Sequence, residues 1–295
     1  MSRMDIQFAK DYKENEGWRN SFFKLAHSVF GLELKSWYEK GYWGHRYIPF
    51  SYALGNQIIA NVSVNVLDTI IEGKKKSAIQ IGTVMTHPDH RNNGLSAKLM
   101  NRVLQEYEEQ CDFIYLFANK TVLDYYPKFG FIRTTDYQFS MEWFPTGQNP
   151  VSMKQLDGTN SEDLNFIYQF AAERVPVSQV FGTVQAEDLF MFHCMNIFPE
   201  HIYYLPEKDM IAIFEKQGQQ LKIYDLISKK AFNIEEIISK LAGENTTEIS
   251  FYFTPDLEDS KLRKQAYTTK DQLFVRTKDS FSLPAVFQHP ITSQA

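Results

Sequence analysis

An arginine, a glycine and three small polar side chains lie between a predicted strand and a predicted helix, in the segment HRNNGLS at residues 90–96. Residues 78–86 are mostly apolar and end at a proline-containing turn, which predicts a buried strand. From Leu95 onward apolar residues recur at helical spacing, which predicts an amphipathic helix. The first N–H groups of a helix are unpaired and lie at the positive end of its dipole. Because Gly94 admits close backbone approach and Arg91 supplies a forked cation, this turn predicts an anion site, such as one for phosphate.

A second segment lies one predicted strand further along the chain. Residues 113–118 (FIYLFA) predict another buried strand, and YYPKFGF follows at residues 125–131 after a brief helix. Alone, the first turn is also compatible with an ordinary glycine-containing connection, because short glycine motifs are common. In this order and spacing the two segments resemble the two signatures of the GNAT N-acetyltransferases, R-x-x-G-x-G/A and F-Y-x-K-x-G-F. The HR-x-x-G loop and the Y-x-x-F-G-F segment are most similar to the tandem-domain enhanced-intracellular-survival group of that family.

The resemblance implies an acetyl-CoA-dependent transfer of an acetyl group to an amine, with acetyl-CoA as co-substrate and no metal. In the family, the strand that here ends at Val84, Met85 and Thr86 hydrogen-bonds the pantetheine arm like an added strand. We expect the Met85 N–H to polarise the thioester carbonyl, since a fixed donor at a developing oxyanion stabilises the transition state. The residues expected to hold the pyrophosphate are those of the turn, namely Arg91, Asn92, Asn93, Gly94, Leu95 and Ser96.

Three more residues gain candidate roles from the resemblance. Asn119 follows the second strand and is expected to contact the arm of the cofactor, with a strand-end cap as the alternative. Tyr126 aligns with the family's tyrosine that protonates the departing thiolate, and a phenol suits this role because its pKa of ~10 exceeds that of a thiol. Tyr125 competes for the same assignment, and a third interpretation places both rings in the core.

The proton acceptor for the attacking amine is not evident from the sequence. Many relatives carry a glutamate on the central strand, but the nearby positions here are Gln80, Gly82 and Thr83. Either water relays the proton or a group from elsewhere in the chain accepts it. The candidates elsewhere are His27, Glu33 and Asp68, together with Ala295, because the C-terminal carboxylate reaches this site in the three-domain relatives.

Composition and charge argue against several other classes of protein. Residues 1–145 contain 17 Lys and Arg against 16 Asp and Glu, and the remainder 14 against 20, so neither half has the basic excess of a nucleic-acid-binding protein. The only two cysteines, Cys111 and Cys194, predict reduced thiols, and no apolar stretch reaches membrane-spanning length. We therefore expect a soluble, cytoplasmic protein without nucleic-acid or membrane partners. His87 and His90 fall within the anion turn, so we expect no metal there.

The length of 295 residues predicts two domains. Residues 1–145 predict a helical entry followed by a mixed α/β sheet, the GNAT acyltransferase fold, and residues 144–150 predict a linker by composition. Residues 151–295 predict the order strand, strand, helix, strand again, which indicates a second, degenerate GNAT-like domain. Its crossover at residues 228–233 contains no glycine, so we expect it to lack a cofactor site.

Two further patterns bear on the acceptor side. The predicted strand at residues 58–71 places Val62, Val64 and Val66 on one face and Asn61, Ser63 and Asn65 on the other. The aromatic residues Trp37, Tyr38, Tyr42 and Trp43 are candidates for the wall of the acceptor site, with core packing as the alternative. The acceptor is expected to be a primary amine of a small molecule or peptide. An acyl-CoA-binding regulatory module without turnover is the alternative function, because the central strand lacks a carboxylate.

Overall fold

The computed structural model describes residues 5–144, 152–267, 271–278 and 281–295. The predicted linker at residues 144–150 lies outside these ranges apart from its first residue. The helices in the described residues are α1 (Glu16–Phe30), α2 (Lys35–Glu39), α3 (Leu95–Tyr107), α4 (Ser161–Ala172), α5 (Glu187–Asn196) and α6 (Ile234–Leu241). The strands are β1 (Ile6–Lys10), β2 (Tyr47–Leu54), β3 (Gln57–Ile71), β4 (Lys74–Thr86), β5 (Phe113–Asn119), β6 (Ile132–Arg133), β7 (Tyr137–Glu142), β8 (Lys154–Leu156), β9 (Phe181–Val184), β10 (Ile202–Leu205), β11 (Met210–Gln217), β12 (Gln220–Ser228), β13 (Glu248–Phe251), β14 (Arg263–Ala266) and β15 (Asp271–Thr277).

Strand β4 lies at the centre of the first sheet, whose order is β1-β2-β3-β4-β5-β15-β6, with β9 added beside β3. The strands β4 and β5 run parallel and are joined through α3, whereas β2, β3 and β4 are antiparallel neighbours. Helix α1 packs on one face of this sheet, in an apolar cluster with Ile58 and Met85. Helix α3 packs on the other face with Ile79 and Ile81. The mixed α/β sheet expected for the first half of the chain is thus confirmed.

The second sheet has the order β14-β7-β13-β12-β11-β10-β8. Two strands cross the division that the sequence predicts near residue 145. Strand β7, from the first half of the chain, lies in the second sheet, and β15, from the second half, lies in the first sheet between β5 and β6. The domains at residues 1–145 and 151–295 remain a prediction about folding units, but each sheet includes a strand from the other half.

Asparagine side chains cap the starts of three helices among the described residues, α1, α4 and α6, with Asn160 as the cap of α4. Asn15 caps α1, accepting the Trp18 N–H at 3.1 Å, and Gly31 ends this helix in the left-handed conformation with φ of 71°. Asn233 caps α6 in the same way, accepting the Glu236 N–H at 3.1 Å. The start of α6, at the crossover of the second half, therefore already has an acceptor from its own chain.

The C-terminal segment, residues 287–295, contacts both sheets. Thr292 donates a hydrogen bond to Asp225 of β12 in the second sheet at 2.5 Å. The Ser293 carbonyl accepts one from Gln80 of β4 in the first sheet at 3.0 Å. Because all of these side chains are buried, the segment links the two sheets through their interior.

Candidate active site

A gap opens in the first sheet where β4 and β5 diverge. Ile81 and Leu116 form the last pair of their parallel register, although β4 continues to Thr86 and β5 to Asn119. Among the described residues, the end of β4 is therefore paired with β3 on one side and with no strand on the other. Such an edge offers backbone N–H and C=O groups to a ligand that lies in the gap like an added strand.

A β-bulge shapes the edge of β4 at this gap. Asn61 of β3 pairs with Met85, and Ser63 pairs with Gly82, so one residue of β3 faces two residues of β4. Within the bulge Thr83 has φ of 49°, in the left-handed region that costs a residue with a Cβ roughly 1–2 kcal/mol. Because successive residues of a strand present their N–H groups to opposite sides, the extra residue changes which of them face the gap.

The register directs the N–H of Met85 toward β3 and not into the gap. The His87 N–H donates to the main chain of β3 at 2.8 Å, which makes His87 part of a hydrogen-bonded pair. Such pairs recur at every second residue of an antiparallel ladder, so the pair of Met85 and Asn61 is of the same kind. The N–H groups of Val84 and Thr86 consequently face the gap. This geometry contradicts the role expected of Met85 and makes Val84 the candidate donor to the thioester carbonyl.

The turn after β4 leads into an uncapped start of α3. Gly94 is the N-cap residue, with φ of 68°, and no side chain of the described residues accepts a hydrogen bond from the first turn of the helix. A Cβ at Gly94 would meet no atom within 4 Å, so the requirement for glycine comes from φ and not from crowding. Leu95 is 6% exposed and fixes the helix start in the apolar cluster below it. The N–H groups of this turn are the ones at which the sequence predicts an anion site, and that site stays a prediction.

The polar side chains of the turn are arranged around this helix start. Arg91 is exposed, and its Nε donates to the Thr86 carbonyl at 3.3 Å, which holds the side chain beside the end of β4. Asn92 is exposed with φ of 63°. Asn93 Nδ2 donates to the His90 carbonyl at 3.2 Å and thereby closes the turn. The exposed guanidinium leaves its terminal nitrogens available to a phosphate group.

Asn119 ends β5 on the opposite side of the gap. Its Oδ1 accepts the Thr121 N–H at 3.0 Å, so it has the strand-end capping role that was the alternative interpretation. Its Nδ2 makes no hydrogen bond to any residue that the structure describes. The expected contact to the cofactor arm stays a prediction that concerns this Nδ2 group.

Tyr125 and Tyr126 lie in different surroundings. Tyr126 is 5% exposed and belongs to an apolar cluster that Val84 and Tyr125 border. Burial raises its pKa well above that of an ordinary phenol, and its hydroxyl makes no hydrogen bond within the described ranges. The Tyr125 hydroxyl is instead 2.5 Å from the Ser96 Oγ at the start of α3. Burial also raises the pKa of Tyr125, so the two tyrosines differ in that only the Tyr126 hydroxyl has no hydrogen-bond partner among the described residues.

Gln80 lies on the central strand, where many relatives carry their carboxylate. It is fully buried, and its Nε2 donates to the Tyr115 hydroxyl at 2.6 Å and to the Ser293 carbonyl at 3.0 Å. Its Oε1 accepts the N–H of Ala295. Ala295 also lies against Gly82, because a Cβ built on Gly82 would be 3.1 Å from the Ala295 Cβ. The sequence-predicted candidate Ala295 is thus brought to the point where β4 begins to leave β5.

The other candidate bases lie away from the gap. His27 and Glu33 pair with each other at 2.7 Å, and both side chains are 64% exposed. Asp68 pairs with Arg46 and Lys75 at 3.2 and 3.3 Å, and it faces the start of β4 in the register of β3. None of the three is placed to accept a proton from an amine at the bulge.

Sequence reasoning missed the side chains that hold the bulge. The polar face of β3 is buried, with Asn61 and Ser63 0% exposed and Asn65 5% exposed. Asn61 Nδ2 donates to the Thr83 carbonyl at 2.8 Å, and the Tyr47 hydroxyl is 2.9 Å from the Thr83 Oγ1. The repeated Asn and Ser on one face of a long strand was the available signal, but a polar face is ordinarily interpreted as solvated.

The aromatic residues considered for the acceptor wall are core residues. Trp37, Tyr42 and Trp43 are 3–5% exposed. The rings of Trp37 and Trp43 lie 5.4 and 5.3 Å from that of Tyr47, centroid to centroid. They support the bulge from behind through Tyr47, and Tyr38 is only partly buried at the edge of the same cluster.

The two histidines near the anion turn, His87 and His90, lie close to each other. The ring centroids of His87 and His90 are 5.8 Å apart. Across the ranges that the structure describes, no group of three or more His, Cys, Asp or Glu side chains is arranged to hold a metal ion.

Within the same ranges, none of the helices has both the length and the apolar character needed to cross a membrane.

Comparison with known proteins shows which domain family the first part of the chain resembles. Residues 15–133 match the family described as the acetyltransferase (GNAT) domain, a stretch that includes β4, the anion turn, α3 and both tyrosines. This stretch of the chain is thus similar to an acetyltransferase domain of the GNAT type.

The curated relative and the solved structures extend this result to different degrees. A stretch of 66 residues is 35% identical to an uncharacterised N-acetyltransferase, ycf52, of Gracilaria tenuistipitata var. liui, and covers 22% of this chain but only 36% of that protein. A probable N-acyltransferase of Enterococcus faecalis V583 is 15% identical, with a TM-score of 0.62, over 92% of this chain and 72% of that one. Eis1 of Mycobacterium abscessus is 16% identical, with a TM-score of 0.56, over 92% and 73%. At these identities the two structures show the fold, and their coverage extends it to the second, GNAT-like sheet.

Proposed function

We propose that this protein is an N-acetyltransferase that transfers the acetyl group of acetyl-CoA to a primary amine of a small molecule or peptide. The observation that carries the proposal is the free edge of β4, with the Val84 and Thr86 N–H groups facing a gap that leads to the uncapped start of α3. An extended arm that ends in a diphosphate fits these two features together, because one binds backbone-like groups and the other binds anions.

Binding of acetyl-CoA uses the two features in sequence. The diphosphate lies at the first turn of α3, where Gly94 leaves the N–H groups uncapped and Arg91 adds a positive charge. The pantetheine arm then lies along Val84 and Thr86. Binding at these distant groups positions the thioester carbonyl at the bulge, so that attack on it becomes effectively unimolecular.

Acetyl transfer proceeds by direct attack of the amine on the thioester. The amine nitrogen forms a bond to the carbonyl carbon, and the Val84 N–H stabilises the negative charge that develops on the carbonyl oxygen. The carbon–sulfur bond then breaks, and the thiolate receives the proton of the Tyr126 hydroxyl. The products are an N-acetyl amide and CoA.

The amine must also lose a proton, and we propose Ala295 as the acceptor for a protein in which it is the last residue. In a protein that ends at Ala295, the terminal carboxylate lies beside Gly82, on the strand where Gln80 replaces a carboxylate. Gln80 accepts the Ala295 N–H and so holds this residue next to the gap. A carboxylate near the attacking nitrogen is a suitable base because it is ionised at neutral pH.

Calorimetric titration with acetyl-CoA tests the cofactor site. The parent is compared with an Arg91→Ala/Gly94→Val variant, which removes the cation and introduces a Cβ at a φ of 68°. The matched control is an Arg133→Ala/Gly218→Val variant, because Arg133 is also exposed and Gly218 also has positive φ, 60°, in a hairpin turn of the second sheet. We expect at least about tenfold weaker binding in the first variant only, which corresponds to about 1.4 kcal/mol. Equal affinities in all three proteins would remove the loop from the proposal.

Turnover separates the enzyme from a binding module. CoA release is measured against a panel of primary amines, with acetyl-CoA in excess and with buffer alone as the reference. Amine-dependent release supports the transferase. Tight acetyl-CoA binding without release by any amine would favour the acyl-CoA-binding regulatory module, which the missing carboxylate on β4 makes the second candidate.

A further inference from the structure

Thr83 adopts a backbone conformation that its own side chain disfavours. Its φ of 49° lies in the left-handed region, where a β-branched residue is a genuine outlier. This residue lies directly before Val84 and inside the bulge that turns the Val84 N–H toward the gap. Strained residues of this kind persist only where surrounding contacts hold them. The question is therefore which contacts hold Thr83.

Two buried side chains bond to Thr83 from opposite parts of the residue. Asn61 Nδ2 donates to its carbonyl oxygen at 2.8 Å, and the Tyr47 hydroxyl is 2.9 Å from its Oγ1. Burial raises the pKa of Tyr47 to about 12, so the phenol is neutral and available for this bond at any working pH. One contact orients the peptide after Thr83, whose N–H belongs to Val84, and the other orients its side chain.

Asn61 is itself held in a single orientation. Its Oδ1 accepts from the Ser51 hydroxyl at 2.8 Å, and its Nδ2 also donates to the Ser63 Oγ at 2.9 Å. Because Ser51 uses its proton for Asn61, the Tyr12 hydroxyl donates to the Ser51 Oγ at 2.6 Å. Tyr12, Ser51, Asn61 and Ser63 are all at most 5% exposed. Both amide hydrogens and the amide oxygen of Asn61 are thus engaged, which excludes the flipped orientation.

We propose that Asn61 and Tyr47 are positioning residues for acetyl transfer: they hold Thr83 in the left-handed conformation and thereby aim the Val84 N–H at the thioester carbonyl. The inference rests on the proposed function and adds residues that lie behind the reacting edge. Neither side chain touches the thioester. Their loss therefore impairs the chemical step more than the binding of the cofactor, because most of the arm and the diphosphate contact other residues.

The experiment compares Asn61→Leu and Tyr47→Phe with a matched control, Thr69→Val. Thr69 is also fully buried on β3, and its Oγ1 donates to the Lys76 carbonyl of β4 at 3.0 Å, far from the bulge. Tyr47→Phe is the milder variant in case Asn61→Leu unfolds. The probe is acetyl-CoA labelled with carbon-13 at the thioester carbonyl, and the readouts are calorimetric affinity and the infrared stretching frequency of the bound carbonyl. Turnover is followed with the amine that gives the fastest CoA release.

We expect the parent and Thr69→Val to lower the carbonyl frequency on binding, and the other two variants to lose part of this shift. Affinity for acetyl-CoA changes by less than about threefold, while kcat falls by at least about tenfold, since the oriented donor acts mainly in the transition state. Adding Thr83→Gly to Asn61→Leu restores part of both kcat and the shift, because glycine adopts positive φ without support.

Each other outcome overturns the inference in a recognisable way. A full carbonyl shift in Asn61→Leu and Tyr47→Phe shows that Val84 is oriented without them. An equal loss in Thr69→Val shows that any buried bond of the ladder matters as much. If the parent binds no acetyl-CoA, the proposed function fails and the inference fails with it. If the parent binds acetyl-CoA and lowers the carbonyl frequency, the variants test the roles of Asn61 and Tyr47 alone.

Discussion

The exchange of Tyr126 for phenylalanine tests the general acid with little change to the fold. The hydroxyl of Tyr126 makes no hydrogen bond among the described residues, and its ring remains in contact with Phe131 and Phe274 at centroid distances of 6.2 and 5.8 Å. No partner is left unsatisfied by the exchange. We therefore expect the free energy of unfolding to change by less than about 1 kcal/mol.

The same exchange removes the proton donor for the departing thiolate. Loss of a positioned acid lowers kcat by roughly 10²- to 10⁴-fold, which corresponds to about 3–5 kcal/mol of transition-state stabilisation. The affinity for acetyl-CoA stays within about threefold, because the hydroxyl acts on sulfur only as the bond breaks. Initial rates of CoA release at saturating acetyl-CoA give kcat, and calorimetry gives the affinity.

Tyr125→Phe is the matched control, since the two tyrosines are adjacent and only Tyr125 bonds to Ser96 at the helix start. We expect it to change kcat by less than about threefold. Burial raises the pKa of Tyr126, so this acid stays protonated and the parent shows no alkaline loss of kcat from it up to about pH 10. A larger loss in Tyr125→Phe than in Tyr126→Phe, or parental kcat in Tyr126→Phe, would refute the assignment.

Two further predictions concern the C-terminal segment and its surroundings. In a protein that ends at Ala295, one added residue moves the terminal carboxylate by ~3.3 Å. We expect kcat at neutral pH to fall by more than about tenfold, while the affinity for acetyl-CoA stays unchanged. An unchanged kcat would exclude this carboxylate as the base. Burial raises the pKa of Asp136 to about 7, although the His289 and Tyr137 N–H groups oppose the shift. The stability that the Asp136 carboxyl contributes is complete below its unfolded pKa of about 3.9 and is lost as pH rises through about 7. We therefore expect Asp136→Asn to melt at a higher temperature than the parent at pH 8, and at the same temperature at pH 4. The full pKa shift of Asp136 corresponds to at most about 4 kcal/mol of unfolding free energy. A difference in melting temperature that does not depend on pH would contradict burial of the ionised carboxyl as its cause.

The position of the turn between β4 and α3 was predictable because its signals are local. Gly94 and Arg91 lie between a strand and a helix that hydrophobic periodicity alone locates, and the helix start follows from that periodicity. The direction of the Met85 N–H was not predictable, because a bulge of one residue reverses it and no local pattern marks the bulge. Thr83, a β-branched residue, gives no sequence sign of positive φ.

That β7 and β15 each join the sheet of the other half could also not be predicted from the sequence. A mixed α/β sheet was expected for residues 1–145, but strand propensity does not say which sheet a strand such as β7 joins. The pairing of β15 with β5 joins residues that are more than 150 positions apart in the chain, from Asp271 with Asn119 to Thr277 with Phe113. Only the burial of apolar residues on both faces decides such a pairing, and that is a property of the assembled fold.

The crossover at residues 228–233 of the second sheet contains no glycine, yet this sheet helps to determine where the C-terminal segment lies. Arg174 binds Asp225 through two hydrogen bonds of 2.8 and 2.7 Å, and Asp225, which is fully buried, also accepts the Thr292 hydroxyl. Burial lowers the pKa of His193 on α5 to about 4, so the ring is neutral and its Nε2–H donates to the Gln294 carbonyl at 2.7 Å. Breaking a buried charge pair is costly, so these bonds fix the segment against the second sheet.

Residues of the first sheet bind the segment at Ser293 and Ala295. Gln80 binds both the Ser293 carbonyl and the Ala295 N–H, and Thr183 of β9 shares a hydrogen bond of 2.9 Å with the Ser293 hydroxyl. Ala295 is therefore placed beside Gly82 by contacts from both sheets at once. The two sheets thus share the contacts that hold the C-terminal segment next to the free edge of β4.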